Sequence, residues 1–125
     1  MEKAPVILII EDNALNRDLL KRRLEKRGYK IILAEDGAQG VDVCIAQKPD
    51  LILMDVNMPV MDGLEATRRI KGNSETKHIP IVVVTAHTTD QEKEETMKCG
   101  CNDFEGKPVD FEKLMNKIKG LLAQT

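Results

Sequence analysis

The feature that most constrains this chain is a series of short apolar runs, each too brief for a helix, separated by amphipathic stretches. Val6–Ile10 is a β-branched run of strand length, residues 31–34 form a shorter one, and residues 51–54 and 81–84 follow, apolar throughout. Uninterrupted runs of this kind suit strands covered on both faces, as in a parallel sheet, rather than strands with one wet face. A weaker fifth strand is expected at residues 103–106.

The stretches between the runs read as helices. Leu15, Leu19, Leu20 and Leu24 fall on one face of a segment opened by Asp12-Asn13 and closed by Gly28, a start and a stop of the usual chemistry. Phe111, Leu114, Met115, Ile118, Leu121 and Leu122 keep the helical period through the last segment. Residues 38–46 and 64–70 are shorter helix candidates, each entered through an Asp-Gly pair. Residues 90–99 also read as a helix, but only Met97 and Cys99 offer apolar anchors, so this helix is expected to be the least firmly held. Five strands alternating with five helices give an α/β fold with helices on both faces of the sheet. No repeat, low-complexity tract or linker interrupts the pattern, and residues 1–125 are read as one domain.

Composition removes several classes of function. A formal charge of -2 exerts no general pull on nucleic acid or an anionic membrane, and the only aromatic residues are Tyr29, Phe104 and Phe111, too few for a base-stacking platform. No apolar run is long enough to cross a bilayer and no signal peptide is evident, so a cytoplasmic protein is expected. Cys44, Cys99 and Cys101 are an odd number without framework spacing and read as reduced thiols. The Cys99-x-Cys101 pair lacks a second pair or a nearby histidine, and small core residues are the simpler reading.

Polar residues collect where the strands end. The first strand runs into Glu11-Asp12, the third into Asp55, the fourth into Thr85 and the fifth into Lys107-Pro108. Singly, each has a plain explanation: a helix cap for Asp12 or Thr85, a turn residue for Asp55, a solvated loop lysine for Lys107. Jointly they bring three carboxylates, a hydroxyl and an ammonium to the strand-end crevice where open parallel sheets bind their ligands. Clustered carboxylates repel one another unless a cation offsets them, and oxygen ligands suit Mg²⁺ better than zinc or copper. A carboxylate can attack phosphorus to form an aspartyl phosphate, with a metal and a lysine neutralising the phosphoryl oxygens.

Glu11-Asp12, Leu51-Ile-Leu-Met-Asp-Val-Asn-Met-Pro, Met61-Asp-Gly, Val84-Thr85-Ala86 and Lys107-Pro108, in this order, make the chain resemble a response-regulator receiver domain of two-component signalling over essentially its whole length. The resemblance implies a flavodoxin-like fold with strand order 2-1-3-4-5. It also implies that Asp55 is the phosphoacceptor, that Asp12 binds Mg²⁺ directly, that Glu11 reaches it through water, and that Asn57 gives it a backbone carbonyl. Lys107 would pair with the phosphoryl group through a cis bond to Pro108, Thr85 would be the switch hydroxyl and Phe104 the switch aromatic. His87 would occupy a position that tunes dephosphorylation, unless it is only a surface histidine. Glu105 stands where many such domains carry an aliphatic residue, and it is expected on the partner-binding surface.

The implied partners are a sensor histidine kinase or a histidine phosphotransfer protein as phosphodonor, and a downstream protein target of unknown identity. Arg17, Lys21, Arg22, Arg23, Lys26 and Arg27 make the first helix basic, either as a solvated face or as a dock for an acidic donor. Two other contexts fit the same residues. The chain can be a receiver taken from a hybrid kinase or a longer regulator. It can also be a magnesium phosphatase using an aspartyl phosphate, although those enzymes as a class place a second acid two residues after the nucleophile, and here that residue is Asn57, which is no general acid.

Overall fold

The apolar runs become strands. The computed structural model describes residues 4–56, 58, 60–86 and 89–123, and the expectations placed on Asn57 and His87 therefore lie outside the described residues. The strands are β1 (Val6–Ile10), β2 (Lys30–Ala34), β3 (Leu51–Asp55), β4 (Ile81–Thr85) and β5 (Asp103–Gly106). They alternate with helices α1 (Ala14–Lys26), α2 (Gly37–Gln47), α3 (Gly63–Lys71), α4 (Asp90–Lys98) and α5 (Phe111–Leu122). All the strand pairs are parallel and the order is β2-β1-β3-β4-β5, the flavodoxin-like arrangement.

The uninterrupted apolar runs are explained by two cores, one on each face. Ile7, Ile9, Leu51, Leu53 and Val82 point to one side, where Leu24 of α1 and Leu114, Met115 and Ile118 of α5 cover them. Their neighbours Leu8, Ile10, Ile52, Met54, Ile81 and Val83 point to the other side, against Cys44, Ala66, Ile70 and Cys99. With side chains alternating across the sheet, a strand covered on both faces leaves room for a polar residue only at its end, as at Asp55 and Thr85. Each Leu or Ile so buried contributes about 1.5–3 kcal/mol relative to exposure.

Every helix opens on a side-chain cap. Asn13, Asp36, Asp62, Thr89 and Asp110 accept from the backbone N–H of Asn16, Gln39, Glu65, Glu92 and Lys113 respectively. Such a cap contributes about 1 kcal/mol by satisfying an orphan donor. The α4 reading needs one correction. Of the two expected anchors, Cys99 at the C-cap is buried in the core but Met97 is 41% exposed, and the buried residue within the helix is Thr96. By contrast α5 buries Leu114, Met115 and Ile118, so the poor anchoring expected of α4 holds.

Candidate functional site

The ends of β1, β3, β4 and β5 bring their polar residues to one edge. Glu11 and Asp55 are buried, at 4% and 5% exposure, whereas Asp12 is exposed. Carboxylate oxygens of Glu11, Asp12 and Asp55 all lie within 4.8 Å of one another, a grouping that can hold a metal ion. Lys107 reaches into it, its Nζ donating to Oδ1 of Asp55 at 2.7 Å.

Local structure fixes each member. Glu11 leaves β1 with its N–H on the Ala34 carbonyl at 3.1 Å. Arg17, one turn into α1, donates to the Glu11 carbonyl at 2.8 Å, and Asn16 Nδ2 donates to Glu11 Oε1 at 3.1 Å. These two residues brace the acidic corner and were not singled out from the sequence for that role; only their position one turn beyond an acidic pair hinted at it. Lys107 is held by its own N–H on the Thr85 carbonyl at 2.8 Å, so the ends of β4 and β5 position the lysine together. Its bond to Pro108 is cis, as the resemblance implied.

Gly63 shows why an Asp-Gly pair follows Asp55. A Cβ at Gly63 would lie 2.0 Å from the Asp55 carbonyl oxygen, so α3 can start against the end of β3 only without a side chain there. The Gly63 N–H closes the connection by donating to the Val56 carbonyl at 2.9 Å.

The electrostatics follow from crowding. Burial, with the hydrogen bond and charge of Asp55, pushes the Glu11 carboxyl up to about 7, against smaller opposing effects of Asn16 and Lys107. For Lys107, burial alone would favour the neutral amine, but the hydrogen bond and charge of Asp55, with Glu11 and Asp12 behind it, hold its ammonium above the usual range. Three carboxylates against one ammonium leave an excess of negative charge when all are ionised. An all-oxygen donor set with that excess fits a hard divalent cation.

Thr85 is buried at the end of β4, beside Gly106 in register. Phe104 is half-buried on β5, packed on the core, and its outer side lines a shallow groove with Met97 and Lys98 of α4. Glu105 departs from expectation. It is buried rather than displayed, because Lys117 of α5 folds over it with Nζ 2.8 Å from Oε1. The same ammonium donates to the Phe104 carbonyl and stands 5.6 Å from the centre of the Phe104 ring.

The leucine face of α1 is covered unevenly. Leu24 is fully buried, but Leu15 and Leu19 are 67% and 49% exposed. Leu19 stands at a cavity of about 380 Å³ that runs from Asp55 and Lys107 between α1 and the β5–α5 connection, lined also by Leu20, Arg23, Pro108 and Phe111. Much of the helix's basic charge is engaged within the chain. Arg22 pairs with Asp18 at 3.0 Å, Arg27 pairs with Glu112 at 2.8 Å, and Arg23 and Arg27 both stack on Phe111.

The response regulator receiver domain family matches residues 7–119. The polar-differentiation response regulator DivK of Brucella anthropi is 35% identical over 117 residues, covering 94% of this chain and 95% of DivK. Among solved structures, the receiver domain of a signal transduction histidine kinase from Syntrophus aciditrophicus superposes with a TM-score of 0.92 at 34% identity, covering 98% of this chain and 92% of that one. The receiver domain of a sensor histidine kinase from Pseudomonas aeruginosa superposes at 0.89 with 32% identity, covering 96% of this chain and 98% of its own, and carries a magnesium ion coordinated in its active-site cleft.

Proposed function

This chain belongs to the response regulator receiver family of two-component signalling, and from that premise we propose that it is a Mg²⁺-dependent switch phosphorylated on Asp55. The observation that carries the reading is the Lys107–Asp55 contact of 2.7 Å inside the acidic trio, which joins a nucleophilic carboxylate, a mobile cation and a metal-binding group in one crevice.

Asp55 is buried with Oδ1 accepting from Lys107, and its carboxylate is the group that attacks phosphorus. As the oxygen–phosphorus bond forms, the bond from phosphorus to the imidazole nitrogen of a phosphohistidine donor breaks, and its electron pair stays on the imidazole. Lys107 then exchanges its carboxylate oxygen for a phosphoryl oxygen. Asp12 and Asp55, with the Asn57 carbonyl and Glu11 through water, would hold Mg²⁺, which supplies charge neutralisation to the transferring group. Thr85 donates its hydroxyl to another phosphoryl oxygen, and Phe104 follows into the space that Thr85 vacates. The weakly anchored α4 beside Phe104 can shift at low cost, so the phosphate biases two arrangements of the α4–β5 face and thereby the binding of a downstream protein.

The family implies a histidine kinase as phosphodonor and a switch rather than a conventional enzyme; we take residues 1–125 as one receiver domain working in the cytoplasm. No described helix is long and apolar enough to cross a membrane. Exposed Leu19 at the mouth of the crevice, with exposed Leu15 one turn before it, favours docking of the donor on α1. A second context, a receiver belonging to a hybrid kinase, is favoured by the likeness to two receivers that belong to histidine kinases.

The test is intact-protein mass after incubation with acetyl phosphate, with and without Mg²⁺, beside Asp55→Asn. The expected outcome is a gain of one phosphoryl group that needs both the ion and Asp55. Phosphate taken up equally by Asp55→Asn would overturn the assignment.

A further inference from the structure

The basic residues of α1 are not alike. The Arg22 side chain is 72% exposed and pairs with Asp18 at 3.0 Å, whereas the Arg17 side chain is 14% exposed. Arg17 turns back toward the strand ends. Its Nη1 donates to the Glu11 carbonyl at 2.8 Å and stands 3.5 Å from the Asp12 carbonyl. Its Nη2 meets Glu35 Oε1, in the β2–α2 connection, at 3.5 Å.

The Glu11 carbonyl belongs to the peptide that joins the two adjacent acids. That peptide is planar, so anchoring its oxygen fixes the plane from which both side chains leave. Glu11 is held on its other side by its N–H on the Ala34 carbonyl at 3.1 Å. The two carboxylates are then directed by different means. Glu11 Oε1 accepts from Asn16 Nδ2 at 3.1 Å. Asp12 is exposed, and among the described residues no hydrogen bond holds its carboxylate, so its direction depends on the backbone beneath it. Oxygens of Glu11, Asp12 and Asp55 lie within 4.8 Å of one another, and their repulsion favours an Asp12 swung out to water. The anchored peptide opposes that swing.

We propose that Arg17 is a positioning residue for Mg²⁺: it holds the Glu11–Asp12 peptide so that the Asp12 carboxylate stays with those of Glu11 and Asp55. The proposal rests on the reading of this corner as the Mg²⁺ site. Charge alone would give Arg17 the opposite effect, because a guanidinium beside the carboxylates repels any cation they hold. Its ion pair with Glu35, whose side chain is 68% exposed, contributes little. What engages the enclosed guanidinium is the backbone of the acidic turn, through a charge-assisted bond that is strong and directional. Groups that orient metal ligands without touching the metal govern affinity by about 10–100-fold, enough to outweigh the repulsion of one screened charge.

The experiment titrates the unphosphorylated full chain with Mg²⁺ in a calorimeter, at one pH and ionic strength. Arg17→Ala should bind Mg²⁺ at least about 10-fold more weakly than the parent. Repulsion alone predicts tighter binding once the positive charge is gone, so the sign of the change decides. Arg17→Lys keeps the charge but replaces the planar fork by one flexible ammonium, and it should fall between the parent and Arg17→Ala. Arg22→Ala removes the same charge from the exposed side of α1 and should stay within about twofold of the parent. Arg17→Ala binding as tightly as the parent or more tightly overturns the inference, and so does an equal loss in Arg22→Ala. Circular dichroism checks that each variant folds. If Arg17→Ala does not, Arg17→Lys decides: weaker binding than the parent supports the role, and parental affinity overturns it. A parent chain that binds no Mg²⁺ would overturn the reading of the site as well, whereas a parent that binds with unranked variants overturns the role of Arg17 only.

Discussion

Two buried carboxylates of this molecule each hold one lysine, with nearly the same geometry and opposite consequences. Asp55 meets Lys107 at 2.7 Å and Glu105 meets Lys117 at 2.8 Å, with side-chain exposures of 5% and 32% in the first pair and 9% and 30% in the second. The difference lies in the company. Around Asp55 stand two further carboxylates from a separate strand end, so the pair sits in surplus negative charge that a cation or a transferred group can relieve. Around Lys117 stand the Phe104 carbonyl and Asp103, its Oδ1 3.9 Å away, and the ammonium serves to close the β5–α5 contact. An ion pair's geometry therefore does not reveal its role; the unsatisfied charge beside it does.

The comparison is broken most directly through the lysines. Lys107→Ala should lower the rate of phosphorylation by acetyl phosphate on the order of 100-fold, the usual loss for one charge-stabilising donor, while Lys117→Ala leaves it unchanged. Equal slowing of both would erase the distinction. In urea denaturation at pH 7, Lys117→Ala should cost about 1–3 kcal/mol, because Glu105 then stays buried without its partner. An unchanged midpoint would show that Glu105 swings out to water.

A third experiment addresses the surplus charge. Glu11 holds its proton up to about pH 7 in the fold, against an ordinary value of 4.5 when unfolded. Between these values the folded state binds more protons than the unfolded chain, so this group's contribution to stability is full below 4.5 and is lost as pH rises through 7. The metal-free protein should lose on the order of 1 kcal/mol between pH 5 and pH 8 from this source, and saturating Mg²⁺ should restore it at the upper end. Stability that rises with pH in the absence of metal would contradict the crowding at the acidic corner. The smallest effect is expected from replacing the second pair outright: Glu105→Leu with Lys117→Met should stay within about 1 kcal/mol of the parent and still take phosphate.

The strands were legible because four of them carry uninterrupted apolar runs, and the helix starts because Asn13, Asp36 and Asp62 are caps by residue type alone. The acidic cluster was legible for a related reason: in a parallel sheet all strand ends share one edge, so residues distant in sequence can be placed together before any distance is known. What failed was depth. Periodicity shows that Leu15 and Leu19 share a face with Leu24, but not that both are exposed, with Leu19 at the mouth of a cavity rather than over the core. Glu105 looked like a surface charge because nothing in the sequence announces that a lysine twelve residues later will fold back over it. Thr96 was passed over for Met97 because threonine carries no hydrophobic signal, although its hydroxyl reaches the Glu92 carbonyl at 2.9 Å and so lets the residue be buried.

The Lys107–Asp55 contact also bears on biosynthesis. The two residues are 52 positions apart, and the lysine leaves the last strand to be made. A chain still emerging from the ribosome has its acids well before it has its ammonium, and β5 must pair with β4 before Lys107 can reach Asp55. Until then Asp55 is a carboxylate without a receiving site. With Asp55 as the proposed phosphoacceptor, synthesis itself would delay the ability to be addressed by a phosphodonor until the sheet is whole, and a truncated product ending before residue 107 would be silent rather than misleading.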